Sequence, residues 1–461
     1  MTKPVAFVVA ASFAASAFAA EVRLPAYTRE VLPNGVVLYL LPKAGVPLVS
    51  FRVTVRGGIE SEPGGLSGIS GFTAQLLTRG TVRRTADQFS AEIDELGGSF
   101  HAQANEQEVR IATEFLKKDF DAGLDLTADA VLHASFSEAE VQKARSHAID
   151  GARSMKDNPQ GAIAQYFRAF FYGAAHPYGH PADEESYGRM TRANVAEYAH
   201  RLYTGANMTV IIAGEFDAAT AGAAVRKTFG EAPAGTHYEW AKNAKPLPGG
   251  RLLLVDKPDA TQTYFRIGQP GVSHTDPDRT ALQLVNTLFG GRFTSMLNDA
   301  LRVNSGLTYG AGATLDLHRE PGAITISTYT RTETTGQAMD MALSVLKRLN
   351  ENGITAEQLA SVKAYVKGEY PTQSLETADQ LANVLGDIEV FGLNRGEVDD
   401  LFSRIDAVTL DRANALAKKW YRQDNLTFVV LGNASKIREV VKKYAPTVQE
   451  VAAKTPGFVV P

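Results

Sequence analysis

Asn207–Gly214 reads NMTVIIAG, and Asn425–Gly432, 218 residues further on, reads NLTFVVLG. Tyr203 and Tyr421 stand ahead of the two segments at the same interval. The helix-start pattern Ser137-x-x-Glu140 returns as Thr355-x-x-Gln358, again 218 residues on. Near the starts, Phe51-Arg52 matches Phe265-Arg266 at an offset of 214, which leaves room for a short gap. Three features in one register predict a duplicated domain. The period is far beyond the roughly 20–50 residues of a solenoid repeat, so the chain must fold as two similar halves rather than as a stack.

Within a half, Val36–Leu41 and Ser50–Val55 are rich in β-branched and aromatic residues and follow the turn pair Asn34-Gly35. Thr85 is placed to cap a helix carrying Phe89, Ile93 and Leu96, which Gly97-Gly98 stops. Val109, Ile111, Thr113 and Phe115 alternate as a half-buried strand with Arg110 and Glu114 on its other face. Ser137–Glu140 predicts a capping box opening a long helix. Strands and helices come in blocks rather than in strict alternation. The expected class is therefore α+β: two homologous domains, each a mostly antiparallel sheet with helices packed on one face. Proline and glycine cluster between residues 232 and 250, which predicts a linker joining domains over 21–231 and 251–461.

The chain has no cysteine, which excludes thiolate catalysis, disulfides and cysteine–zinc sites. A net charge of −4 without a basic stripe argues against nucleic acid as a partner. Residues 1–20 combine Lys3, a small apolar run and Ala17-Phe18-Ala19, the pattern of a secretory signal peptide. The mature chain is then expected in the periplasm, and no later run is long enough to span a bilayer. Gly310-Ala-Gly312 lacks the third glycine of a dinucleotide fingerprint. His176-Pro-Tyr-Gly-His180 spaces two histidines four apart, but Pro177 and Gly179 break the helix that would align them, so it reads as a turn or packing motif. His101, His133 and His147 are isolated in sequence and read as structural or solvated.

Gly68–Thr81 reads GISGFTAQLLTRGT. It resembles, without a gap, the signature G-L-A-H-F-L-E-H-M-L-F-K-G-T of the pitrilysin/insulinase family of inverted zinc peptidases. The resemblance places the first histidine ligand on Gly71, the glutamate base on Ala74 and the second histidine on Gln75. Counted back from the turn Asp157-Asn158-Pro159, the third ligand falls on Gly151. Two histidines hold zinc and the glutamate takes a proton from its water. Glycine has no side chain, alanine accepts no proton and glutamine offers only a neutral amide. No metal is expected in this chain.

Leu301-Arg302-x-x-x-Gly306-Leu307-x-Tyr309 resembles the family's second-half motif L-R-x-x-x-G-L-x-Y. Phe293, Met296, Leu297 and Leu301 are spaced as one helix face ended by Gly306, and Leu307–Tyr309 is expected to begin a strand. Spacing alone fits a surface arginine and a half-buried tyrosine equally well. The resemblance implies that Arg302 and Tyr309 bind a substrate carbonyl and the oxyanion formed from it. It also implies a half clamshell whose homologous partner chain carries His-x-x-Glu-His, zinc and the general base, with a peptide as substrate. In such a pair the peptide adds as a strand to a sheet edge of the partner, and the corresponding stretch here, Gly98–Ala102, reads as vestigial. The alternative is a scaffold or peptide-binding protein of the same fold with no part in hydrolysis.

Overall fold

The computed structural model describes residues 22–242 and 244–460. The signal-peptide pattern at residues 1–20 lies outside them. Two six-stranded sheets organise the chain. The first is built from β1 (Thr28–Val31), β2 (Val37–Pro42), β3 (Leu48–Arg56), β4 (Ser99–Ala104), β5 (Glu108–Leu116) and β6 (Met208–Gly214), in the spatial order β1-β2-β6-β3-β5-β4. The second is built from β7 (Arg251–Asp256), β8 (Gln262–Pro270), β9 (Ala311–Leu315), β10 (Ala323–Arg331), β11 (Thr427–Gly432) and β12 (Thr447–Ala452), in the order β12-β7-β11-β8-β10-β9. The repeat segments are the buried strands β6 and β11. Each pairs parallel to one neighbour (β2, β7) and antiparallel to the other (β3, β8). The sheets are thus mixed, and seven of the ten strand pairings are antiparallel. β4 and β9 are the matching free edges.

In the first half the helices are α1 (Ile69–Leu76), α2 (Ala86–Leu96), α3 (Phe120–His133), α4 (Glu138–Met155) and α5 (Pro159–Tyr172). Helix α2 has the full capping box, with Thr85 and Gln88 bonding reciprocally, and ends on Gly97 in the left-handed conformation. Helix α4 has half of one. Ser137 Oγ accepts from the Glu140 N–H at 3.4 Å, but no bond returns from the Glu140 side chain, which turns to a cavity instead.

One feature of the packing adds to the one-faced expectation. Helix α5 leaves its own half and lies on the second sheet, where Phe167, Phe170 and Phe171 bury against Leu253, Val255, Val429 and Leu431. Gly268 on β8 supplies the room: a Cβ there would sit 2.3 Å from the Phe167 ring. Reciprocally, the Ala378–Phe391 helix of the second half lies on the first sheet, packing Leu381, Leu385 and Ile388 against Tyr39, Leu41, Ile211 and Ala213. Each sheet has its own helices on one face and a helix from the other half on the opposite face. Arg52 and Arg110, on the second face of the first sheet, are held by Asp379, Asn383 and Asp387 of that foreign helix.

The His176–His180 loop is a packing node. His176 is 2% exposed, its ring 4.5 Å from that of Tyr172 and 4.8 Å from that of Tyr178, and its Nδ1 accepts the Tyr178 N–H. Burial, helped by nearby His318 and Arg168, pulls its pKa down to about 4. An unfolded histidine takes its proton near 6.5, so between about 6.5 and 4 the unfolded chain binds more protons and stability falls as pH falls. At about 1.4 kcal/mol per pKa unit the loss is at most about 3.5 kcal/mol. Denaturant titrations between pH 7 and pH 4 should therefore show a shallower pH dependence for His176→Phe than for the parent chain. An unchanged slope would show that His176 is not the group responsible.

Candidate functional site

The motif helix α1 is held at both ends. Its N-cap position is Gly68, left-handed at φ 92°, where a Cβ would meet Ala182 at 2.6 Å. Gly68 offers no side chain, so the orphan N–H groups of the first turn are taken by Glu62. Its carboxylate accepts from Gly68 N at 2.8 Å, from Ser70 N at 3.1 Å and from the Ser70 hydroxyl. Burial pushes the Glu62 carboxyl upward, and these bonds oppose the rise. Beyond the C-terminal end, Thr81 donates to buried Asp129 at 2.7 Å, and Arg83 and Arg84 close on the same carboxylate. Burial alone would raise Asp129; Thr81 and the two arginines outweigh it and hold it low.

The frame of a metal helix is thus intact while its donors are absent. A Cβ at Gly71 or at Gly151 would meet nothing within 4 Å, so open space lies where two of the expected ligands would project. Ala74 is fully buried and Gln75 is exposed, and both line a cavity of about 480 Å³ between α1, β4 and α4. Asp150, beside Gly151, lies on the surface within 3.8 Å of Arg153. No group of three or more His, Asp or Glu residues able to hold a metal occurs among the described residues. The residues present at the motif positions do not fit zinc.

The cavity also gathers residues that looked unrelated in sequence. His101 on β4 and His147 on α4 both line it, with Glu140, Lys143 and Arg79. The clue was available: Glu140, Lys143 and His147 recur at i, i+3 and i+7, one face of a helix. Nothing in sequence tied that face to β4. His133 lies elsewhere, 3.4 Å from Asp129.

Arg302 and Tyr309 occupy a separate place. A short helical turn, Met296–Asn298, is capped by Ser295 and widens into a π-helix over Asp299–Asn304 that carries Arg302. Such wide turns mark functional sites more often than ordinary helix does. Gly306, left-handed at φ 62°, ends the turn, with Leu307 N–H bonding Leu301 C=O at 2.9 Å. Two expectations are corrected here. The strand begins at Ala311, not at Leu307, because Thr308 and Thr328 bond the backbone of Gly310 and hold 307–310 in an irregular turn. Phe293 precedes the cap and is 63% exposed, so it is not on the buried face of the helix.

That irregular turn leaves Tyr309 79% exposed. Arg302 lies over the Phe293 ring at 4.8 Å and opens onto a cavity of about 420 Å³ lined by Arg292, Asn298, edge strand β9 and, from α5, Gln160 and Ile163. Neither side chain makes a hydrogen bond or ion pair among the described residues. No residue lines both this cavity and the one at Gln75. Around Phe289, Arg292 and Phe293, the second-half counterpart of α1, Phe289 is buried edge-on against Tyr421 and Arg292 lies over Tyr365 and donates to Ser361.

Two family models match the chain, "Insulinase (Peptidase family M16)" over residues 39–176 and "Peptidase M16 inactive domain" over residues 189–366. The chain belongs to the insulinase family. It is similar to an uncharacterized zinc protease of Mycobacterium leprae, 28% identical over 398 residues that cover 84% of this chain and 88% of that protein. It is also similar to an uncharacterized zinc protease of Bacillus subtilis, 24% identical and covering 86% of this chain and 96% of that protein. Among solved structures, a peptidase M16 inactive domain from Pseudomonas fluorescens has the same fold. Its TM-score is 0.82 at 20% identity, covering 88% of this chain and 98% of that one. The first half of the periplasmic protease PqqL from Escherichia coli follows at a TM-score of 0.71 and 16% identity, covering 92% and 98%. Within this family, the chain is of the inactive-subunit type: it keeps the architecture of a peptidase half and lacks the metal donors.

Proposed function

We propose that the chain is the non-catalytic subunit of a two-chain zinc metallopeptidase. A homologous partner would hold zinc and the general base on a His-x-x-Glu-His helix. This chain would close against it as the other half of a clamshell and lend Arg302 and Tyr309 to the substrate carbonyl and the oxyanion. The observation that carries the reading is the pairing of an intact but donor-free motif helix with two unengaged, outward-facing hydrogen-bond donors. Donors that make no hydrogen bond or ion pair within their own chain have none to break before meeting a site on another. The PqqL neighbour supports it, since there a unit of this fold is half of a longer protease. The exported state implied by residues 1–20 would place the pair in the periplasm.

The test is purification of the chain from its source cell under gentle conditions, with metal analysis and a peptidase assay of whatever comes with it. The expected result is a homologous chain of similar length carrying the zinc, with peptidase activity that neither chain shows alone. Zinc bound one-to-one by the isolated chain would overturn the reading. Stable association with a chain lacking the His-x-x-Glu-His motif, and no peptidase activity, would favour a scaffold.

A further inference from the structure

The duplicated halves treat one repeated arginine differently. Arg52 on β3 lies opposite Ile211 on β6, and Arg266 on β8 lies opposite Val429 on β11, the residue 218 positions after Ile211. In the first half the charge is met: Arg52 donates to Asp379 at 2.5 Å and to Asn383 at 3.3 Å. In the second half it is not. Arg266 makes no hydrogen bond or ion pair among the described residues, and its guanidinium lies over the Phe167 ring at 5.9 Å. The covering helices explain the difference. Counted from their N-caps, Asn158 and Thr377, α5 has Gln160 where the Ala378–Phe391 helix has Asp379, and Ala164 where that helix has Asn383. The same count aligns Phe167 with Gly386. These two face Gly268 and Thr54, which are themselves equivalent in the two sheets, so the register is right.

Arg266 opens onto the cavity of about 420 Å³ that also takes Arg292 and Arg302. Arg266 and Arg292 are half-buried and Arg302 is exposed. No Lys, Asp or Glu joins the three arginines in the lining. Arg292 Nε is buried and has no hydrogen-bond partner. Burial pulls the Arg266 pKa down, and the only acid opposing that pull, Asp316, forms no ion pair with it. A partly buried cation without a counter-charge is a cost to the fold, and three cations around one cavity focus positive potential into it. The stacked rings of Tyr264 and Tyr329, 5.3 Å apart, give the cavity an aromatic wall.

We propose that this cavity is a carboxylate site centred on Arg266, and that through it the chain selects peptides carrying an acidic side chain. The planar fork of Arg266 donates two N–H groups to the carboxylate, as an arginine does at a bidentate pair, and takes from the ligand the counter-charge that Asp379 gives Arg52. Arg302 lines the same cavity, so a peptide carbonyl held at Arg302 would present a neighbouring side chain to it. Assigning the carboxylate to a substrate rests on the two-chain reading above; the carboxylate site itself does not.

The test uses the isolated chain and two octapeptides blocked at both ends, identical except for one Glu or one Gln in an alanine background. Phenylglyoxal addition at Arg266 and Arg292 is followed by peptide mapping, and protection by each peptide is titrated to give its affinity. The Glu peptide should bind about tenfold or more tightly than the Gln peptide at low salt, with the ratio narrowing as salt rises. Arg266→Met, read at Arg292, should abolish the preference. Gln160→Asp supplies the acid that the other half already has. It should slow labelling of Arg266 without any peptide and abolish the preference while keeping all three arginines. Equal protection by the two peptides, or none by either, overturns the proposal. So does a preference that survives in Arg266→Met or, should that chain not fold, in Gln160→Asp. A Gln peptide with a free C-terminus that binds as tightly as the blocked Glu peptide would assign the site to a chain terminus and overturn the side-chain selection. The readout needs neither partner nor cleavage, so its failure and that of the two-chain reading are told apart.

Discussion

Replacing Arg302 with alanine, or Tyr309 with phenylalanine, is expected to lower cleavage by the reconstituted two-chain enzyme about 100- to 1,000-fold, the usual consequence of deleting one preorganised donor to an oxyanion. The loss should fall mainly on kcat, because the contact is made to charge that develops only in the transition state. Stability should hardly change. Tyr309 is 79% exposed and has no partner to lose, and Arg302 forfeits only its contact with the exposed Phe293 ring, worth about 0.5–1 kcal/mol. Assembly measured by size exclusion should likewise be intact. Arg302→Lys separates charge from geometry: lysine keeps the positive charge but not the fork, so a partial loss is expected. If both Arg302→Ala and Tyr309→Phe cleave at the parent rate, the donor role is wrong whatever the partner proves to be.

The second large effect concerns the exchanged helices. Phe171→Ala, in a helix of the first half, should destabilise the second sheet by about 3–5 kcal/mol, since Phe171 is fully buried and its ring stacks on Phe167 at 5.1 Å. The chain has two tryptophans, Trp240 beside Tyr238 at the junction of the halves and Trp420 in the second. Single-tryptophan variants, Trp420→Phe and Trp240→Phe, therefore report on the two regions separately. Because each sheet is completed by a helix from the other half, the two urea transitions should coincide, and Phe171→Ala should lower both midpoints together. A Phe171→Ala chain in which only the Trp420 transition moved would show that the halves unfold independently.

Much of this was legible in the sequence, and for identifiable reasons. Short-range rules placed Thr85 as a cap and Gly97 as a helix end, and alternation placed Val109, Ile111 and Phe115 on the inner face of β5. The expectation failed where a local pattern met a tertiary hydrogen bond. Leu307–Tyr309 has the composition of a strand start, but Thr328, on the neighbouring strand, binds Gly310 and postpones the strand to Ala311. Ser137 and Glu140 have the letters of a capping box, yet Glu140 turns toward the cavity. His101 and His147 carry no common signal, because a strand residue and a helix residue 46 positions apart come to line one cavity only when the sheet edge is in place.

What the sequence determined by itself was the duplication, the chemistry lost at Gly71, Ala74, Gln75 and Gly151, and the presence of an arginine and a tyrosine at motif spacing. Those are matters of residue identity and of register along the chain, which no packing can alter. Tertiary structure alone decided that the halves complete each other through α5 and the Ala378–Phe391 helix. It also decided that Arg302 lines a cavity sharing no residue with the one at the donor-free helix, that Tyr309 is left exposed, and that β4 is a free sheet edge. The physical reason is the same in each case. An amphipathic pattern says that a face will be buried, but not against which surface, and here the covering surface lies far away in the chain, in the other half.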